Sequence, residues 1–230
     1  VAVFALTLVV GARLAIAFVQ VAIATRRRRA HHRMIVDLLD CSRDTAPAPQ
    51  ARHLIGHGLR ILDVQQPLAY CLPGVRSRVV LSEGALKHLD DSEIAAILSH
   101  ERAHLRARHD LVLEMFIAVH AAFPRFVRSA SALDAVRFLI ELLADDAAVR
   151  ATGPTPLARA LVACASGRAP KGALAAGGPT TVLRVQRLAG EPNSSWVAAA
   201  AYLAAAAVLV VPTVAVAVPW LTELHRLFFS

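Results

Sequence analysis

Cysteine is scarce in this chain of 230 residues, and the three thiols, Cys41, Cys71 and Cys164, are odd in number and far apart, with no C-x-x-C pair. That excludes a disulfide framework and a structural zinc knuckle, leaving three reduced thiols. Aromatic residues make up only 5% of the chain and cluster nowhere, so the net charge of +8 comes without the stacking platform of a nucleic-acid reader. No Ser-x-x-Lys spacing occurs, so an acylating serine of that kind is not encoded. The apolar residues, at 56%, are what the chain has in excess. That share is too high for an ordinary soluble domain.

Two segments carry the excess. Val1 to Thr25 and Trp196 to Trp220 are long and apolar enough to cross a bilayer, and both are read as transmembrane helices. Arg13 interrupts the first at a cost of about 2.5–3.5 kcal/mol, which the surrounding Val, Leu, Ile and Phe outweigh if the guanidinium faces protein or water. Basic residues Arg26 to Arg29 follow this run instead of preceding it, which favours an anchor over a cleaved leader. With Arg33 they place residues 26–195 on the cytoplasmic side of a cell membrane, and the lipid bilayer becomes a partner.

Between the spans the expected order is a basic cytosolic linker over 26–50, a folded domain over 51–168, a Gly/Pro-rich linker over 169–195, and a short tail over 221–230. Met34 to Leu39 reads as a short helix and Thr45 to Gln50 as a Pro-rich joint. Leu59–Val64, Pro67–Leu72 and Ser77–Leu81 read as three strands of a small sheet. Ser82 to Leu89 reads as a helix. Asp90 and Glu93 then form a capping box that opens the next one. Leu111 to Val127 is apolar but broken by Glu114, His120 and Pro124, and is expected as a buried or interfacial helix. Helices over Arg137–Arg150 and from Pro154 to Ala165 precede Ser166–Thr181, where six Gly and Pro residues mark a linker. The fold class is α+β, mostly helical.

His100-Glu101-Arg102-Ala103-His104 carries the chemistry. Residues four apart share a helix face, so two imidazoles can hold one metal ion with Glu101 beside it, the layout of a zinc peptidase. A catalytic zinc needs a third protein ligand and one open position. Glu141 is the best candidate, because Asp145 four residues on could hydrogen-bond a ligand imidazole; Asp146 and Asp110 are rivals. Glu101 is expected as general base. His109 is read as structural or substrate-facing, and Tyr70 as a core residue more than an oxyanion donor. A substrate chain is expected to pair with an edge strand around Ser77–Leu81.

Taken together, Arg78-Val-Val-Leu-Ser82, Leu98-Ser-His-Glu-Arg-Ala-His104 and Glu141-x-x-Ala-Asp145 resemble the membrane zinc peptidases of the BlaR/MecR antirepressor class, and their order is similar to the HtpX heat-shock peptidases. The resemblance covers roughly residues 51–165. It implies a glutamate-zincin fold, zinc on His100, His104 and Glu141, and cleavage of a cytosolic or membrane-proximal protein, a transcriptional repressor among the candidates. No direct nucleic-acid partner is expected. The alternatives from other classes are a non-enzymatic membrane scaffold that keeps the fold and, last, a membrane-tethered DNA-binding regulator.

Overall fold

The computed structural model describes residues 2–41, 58–74, 77–124, 129–165, 174–175, 180–190 and 195–229. They divide into two compact units, Val1–Ala189 and Gly190–Ser230.

The first unit opens with α1, Ala2–Leu38, which is continuous through the arginine cluster. Met34–Leu38 is therefore the end of this helix and not a separate one. Phe4–Leu38 is long and apolar enough to cross a membrane, and only 6% of its most apolar window is buried against the rest of the protein. The expected joint Thr45–Gln50 lies outside the described residues.

Three strands follow: β1 (Leu59–Leu62), β2 (Ala69–Leu72) and β3 (Arg78–Ser82). A fourth, β4 (Leu174–Ala175), completes a sheet in the order β1-β3-β2-β4. β3 runs parallel to β1 and antiparallel to β2, while β2 pairs with β4 through Tyr70 and Cys71. Side chains alternate across a strand. Ala69, Val79 and Leu81 thus enter the main core, whereas Tyr70, Leu72 and Val80 pack with Val36 of α1 on the opposite face. Burial on both faces explains why β2 reads as an unbroken apolar run.

This topology corrects the expected substrate strand. Ser77–Leu81 maps onto β3, which is internal and has its backbone paired on both sides. The outermost strands are β1, which Asp40 and Cys41 bridge, and the two-residue β4, which pairs with Tyr70 and Cys71 of β2.

The helical layer comprises α2 (Glu83–His88), α3 (Asp91–Arg106), α4 (His109–Ala122), α5 (Ala130–Thr152), α6 (Pro154–Cys164) and α7 (Thr181–Ala189). Ser82 caps α2, accepting from the Ala85 amide. A Cβ at Gly84 would run into the Gln65 carbonyl, so only glycine lets the strand-to-helix turn close here. Ile94, Ile97 and Leu98 of α3 meet Leu157 and Leu161 of α6 over the sheet, which fixes α3 in the core along its length. α7 falls inside the stretch expected as a linker, and Ser166–Thr181 is otherwise largely outside the described residues.

The second unit is α8, Ser195–Phe229, a helix covering the second expected span. Its described residues include a shorter apolar run, Thr213–Thr222.

Candidate metal centre

α3 begins with the capping box anticipated from sequence: Asp90 Oδ1 accepts from the Glu93 amide at 2.9 Å, and Glu93 Oε2 accepts from the Asp90 amide at 3.0 Å. With its start fixed and its apolar stripe in the core, the opposite side of α3 presents His100, Glu101 and His104, all at most 1% exposed. The two imidazoles meet Nε2 to Nε2 at 3.1 Å. Glu141, one helix away on α5, lies 3.4 Å from His100 Nε2 and 3.6 Å from His104 Nε2.

The rest of the expected constellation is split between inside and outside. Asp145 is 1% exposed, with Oδ1 3.0 Å from His100 Nδ1, the ring not turned for a straight hydrogen bond. Its neighbour Asp146 points away and pairs with Arg187 at 2.7 Å. Asp110 pairs with Arg29 at 3.1 Å. The two rival ligands are thus engaged by arginines. Tyr70 faces the opposite side of the sheet, against His32 at 3.2 Å, and burial pushes its hydroxyl up to about 12. It belongs to the core.

Two residues at this centre carry more than the sequence suggested. α3 stops at Arg106 and the chain reverses through Arg108, whose φ of 52° is left-handed, so His109 is not carried on round α3. Instead it starts α4 and turns its Nδ1 to within 2.9 Å of His104 Nδ1. Arg184 on α7 is 1% exposed and grips both carboxylates: Nη1 lies 3.0 Å from Glu141 Oε2, Nη2 2.6 Å from Asp145 Oδ1, and Nε 2.8 Å from Asp145 Oδ2. No local pattern flags Arg184. The nearest signal is the spacing Arg184-x-x-Arg187 facing the adjacent pair Asp145-Asp146.

The electrostatics follow from three imidazoles and three carboxylates sharing one dry volume. Burial opposes a charge on His100, but Asp145, Glu141 and Glu101 outweigh it and raise it to about 9. His104 goes the other way, to about 2, through burial and then through the neighbouring His100 and His109. Burial also lowers His109, which keeps its ring neutral and able to accept from His104. Burial raises Glu101 to about 7. Apart from the weak donor Cys71 beside it, neither oxygen of Glu101 has a hydrogen-bond partner among the described residues.

The arrangement fits a divalent metal. One ligand atom each from His100, His104 and Glu141 can be chosen so that all lie within 4.8 Å of one another. Ligands on a tetrahedral zinc with bonds of about 2.0–2.1 Å stand about 3.3 Å apart, close to the separations observed here. Two imidazoles and a carboxylate are the donor set of a catalytic zinc.

The profile of peptidase family M48 matches residues 53–191. The chain belongs to this family. The M48 match extends past α7, so the helix that carries Arg184 is part of the peptidase domain, beyond the boundary near residue 168 expected from composition. A "Protease HtpX homolog" from Methanopyrus kandleri is 47% identical over 51 residues, 21% of this M48 chain and 16% of that relative. The aligned stretch thus spans about a sixth of the relative's length.

Proposed function

We propose that this M48 protein is a membrane-anchored, zinc-dependent endopeptidase with its active site on the cytoplasmic side. The observation that carries the reading is the approach of His100, His104 and Glu141 from two helices to 3.1–3.6 Å, with the buried carboxylate of Glu101 beside them.

His100 Nε2, His104 Nε2 and a Glu141 oxygen would hold the zinc. Bound there, the metal would lower the pKa of a water molecule to about 7 and polarise a peptide carbonyl. Glu101 has the position of the general base: its buried carboxylate, next in sequence to His100, could take a proton from the attacking water and return it to the leaving nitrogen. Asp145 lies against the outer nitrogen of His100, His109 contacts that of His104, and Arg184 holds the two carboxylates.

α1 supplies one membrane crossing and α8 would supply a second, with the arginines after the apolar part of α1 keeping the domain inside the cell. The substrate class is a cytosolic or membrane-proximal protein, with a transcriptional repressor as one candidate. Glu101→Gln tests the catalytic reading on the full-length protein in lipid: zinc content should remain stoichiometric while cleavage of an unfolded protein substrate falls about 100-fold or more. Equal cleavage by wild type and variant, or a wild type that takes up no zinc, would overturn it. A scaffold that only keeps the fold would complement a deletion strain equally well with either residue at 101.

A further inference from the structure

α4 packs antiparallel along α1, pinned at both ends. At one end Arg29 of α1 meets Asp110 at 3.1 Å and Glu114 at 2.6 Å. At the other, Arg13 Nε donates to the Ala122 carbonyl at 3.0 Å. Small residues line the contact: Ala17, Ala118 and Ala122 are buried between the helices. Arg13 and Arg29 are about 24 Å apart along a helix rising about 1.5 Å per residue. A hydrocarbon core is about 30 Å thick, so with Arg26 to Arg28 at the headgroups the far end of α4 lies well inside the bilayer.

Each end of that remote contact would be costly in lipid alone. The last carbonyls of a helix have no partner within it, and a lone guanidinium at that depth costs several kcal/mol. Here Arg13 satisfies one of those carbonyls, that of Ala122, and the negative end of the α4 dipole faces the positive charge. The outward side of α4 is apolar: Leu111, Val112, Met115, Phe116 and Val119 are 37–54% exposed, continuous with exposed Ile16, Phe18 and Val19 of α1. Of the polar residues of α4, His109 and Asp110 are buried and Glu114 and His120 half-buried.

Because His104 and Glu141 stand 3.6 Å apart, the chain between them must leave and return on the same side of any membrane. On the returning α5, the exposed Asp134 and Arg137 pair with each other at 2.7 Å, whereas the exposed positions of α4 carry no charge. At the level of Arg29, exposed Arg106 and Arg108 in the α3–α4 turn join Arg26 to Arg28 of α1.

We propose that α4 is a re-entrant membrane helix whose Leu111–Val119 face takes the acyl chains of the cytoplasmic leaflet, while Arg106, Arg108 and Arg26 to Arg28 take its anionic headgroups. The inference rests on reading α1 as a membrane crossing. It seats the metal centre at the lipid surface, since His104 and His109 flank the same turn.

Spin labels test it on the full-length protein in vesicles of phosphatidylcholine and phosphatidylglycerol. Cys41→Ser leaves only the buried Cys71 and Cys164 as background thiols. Labels are then placed singly at Met115→Cys, Val119→Cys, Val19→Cys and Arg108→Cys. The expected result is a collision rate with a water-soluble nickel chelate several-fold lower at 115 and 119 than at 108, matching position 19, with oxygen collisions the reverse. Nickel access at 115 and 119 equal to that at 108, with 19 protected, would overturn the re-entrant helix and leave the anchor standing. Nickel access at 19 as well would overturn both. Zinc content and proteolysis on the same samples report separately on the peptidase reading.

Discussion

Arg184 meets Asp145 through two hydrogen bonds, Nε to Oδ2 at 2.8 Å and Nη2 to Oδ1 at 2.6 Å, with both side chains 1% exposed. A pair this deeply buried contributes little net stability when intact, but removing one member strands the other's charge, at about 3–5 kcal/mol. Arg184→Ala should therefore destabilise the protein by about that amount and loosen Glu141, which shares the same guanidinium. Arg184→Lys should recover only part of it, because an ammonium cannot reproduce the forked contact. Urea unfolding checks both; an alanine variant as stable as wild type would count against the bridge.

His109→Ala should weaken zinc binding about 10- to 100-fold while leaving the fold intact, because His104 Nδ1 loses the partner that fixes its ring. His109→Asp restores an acceptor and should regain much of the loss. Competition with a chromophoric chelator measures the affinities. Wild-type affinity in the alanine variant would show that His104 needs no such support.

Glu141→Ala removes the only carboxylate within 3.6 Å of both imidazole Nε2 atoms among the described residues, so stoichiometric zinc should be lost on dialysis. Metal analysis of the purified variant is the check. Retained zinc at one equivalent would take Glu141 out of the ligand set.

The pH dependence of the metal-free protein has a defined sign. His100 rises on folding from 6.5 to about 9, burial being outweighed by Asp145 and Glu141, so the stability it contributes is complete below 6.5 and is lost as pH climbs through 9. Glu101, raised by burial from 4.5 to about 7, acts in the same direction over its own range. His104, lowered mainly by burial to about 2, opposes them only below 6.5, where its unfolded ring gains a proton. Unfolding free energy in chelator should therefore fall between pH 6.5 and 9, by something on the order of 3 kcal/mol. Excess zinc, which requires unprotonated ligands, should flatten or reverse the slope. A level profile in chelator would contradict the assignment.

Local pattern made the sheet, the helices and the candidate metal-binding face of α3 readable, because each is dictated within a few residues: the apolar, β-branched run Val79–Leu81, the Asp90–Glu93 box, the four-residue step from His100 to His104. Glu141 was legible for a similar reason, since Asp145 lies one turn on. What escaped is what depends on the chain returning from a distance. Arg184 sits 39 residues from Asp145, in a stretch whose Gly and Pro content argues for a linker, and only packing reveals that α7 closes the site. Strand order escaped likewise: a run of four or five apolar residues does not say whether its neighbours lie on one side or two, so β3 read as an edge although β1 and β2 enclose it. His109 was expected as structural or substrate-facing, but its contact with His104 depends on the turn through Arg108, whose left-handed backbone nothing in its identity announces.

That Arg184 comes so late in the chain has a consequence for synthesis. While the ribosome has yet to deliver α7, α3 and α5 have already been made, but the cation that steadies the carboxylates of Glu141 and Asp145 is missing. A nascent chain therefore carries Glu141 and Asp145 without their shared guanidinium until α7 has emerged.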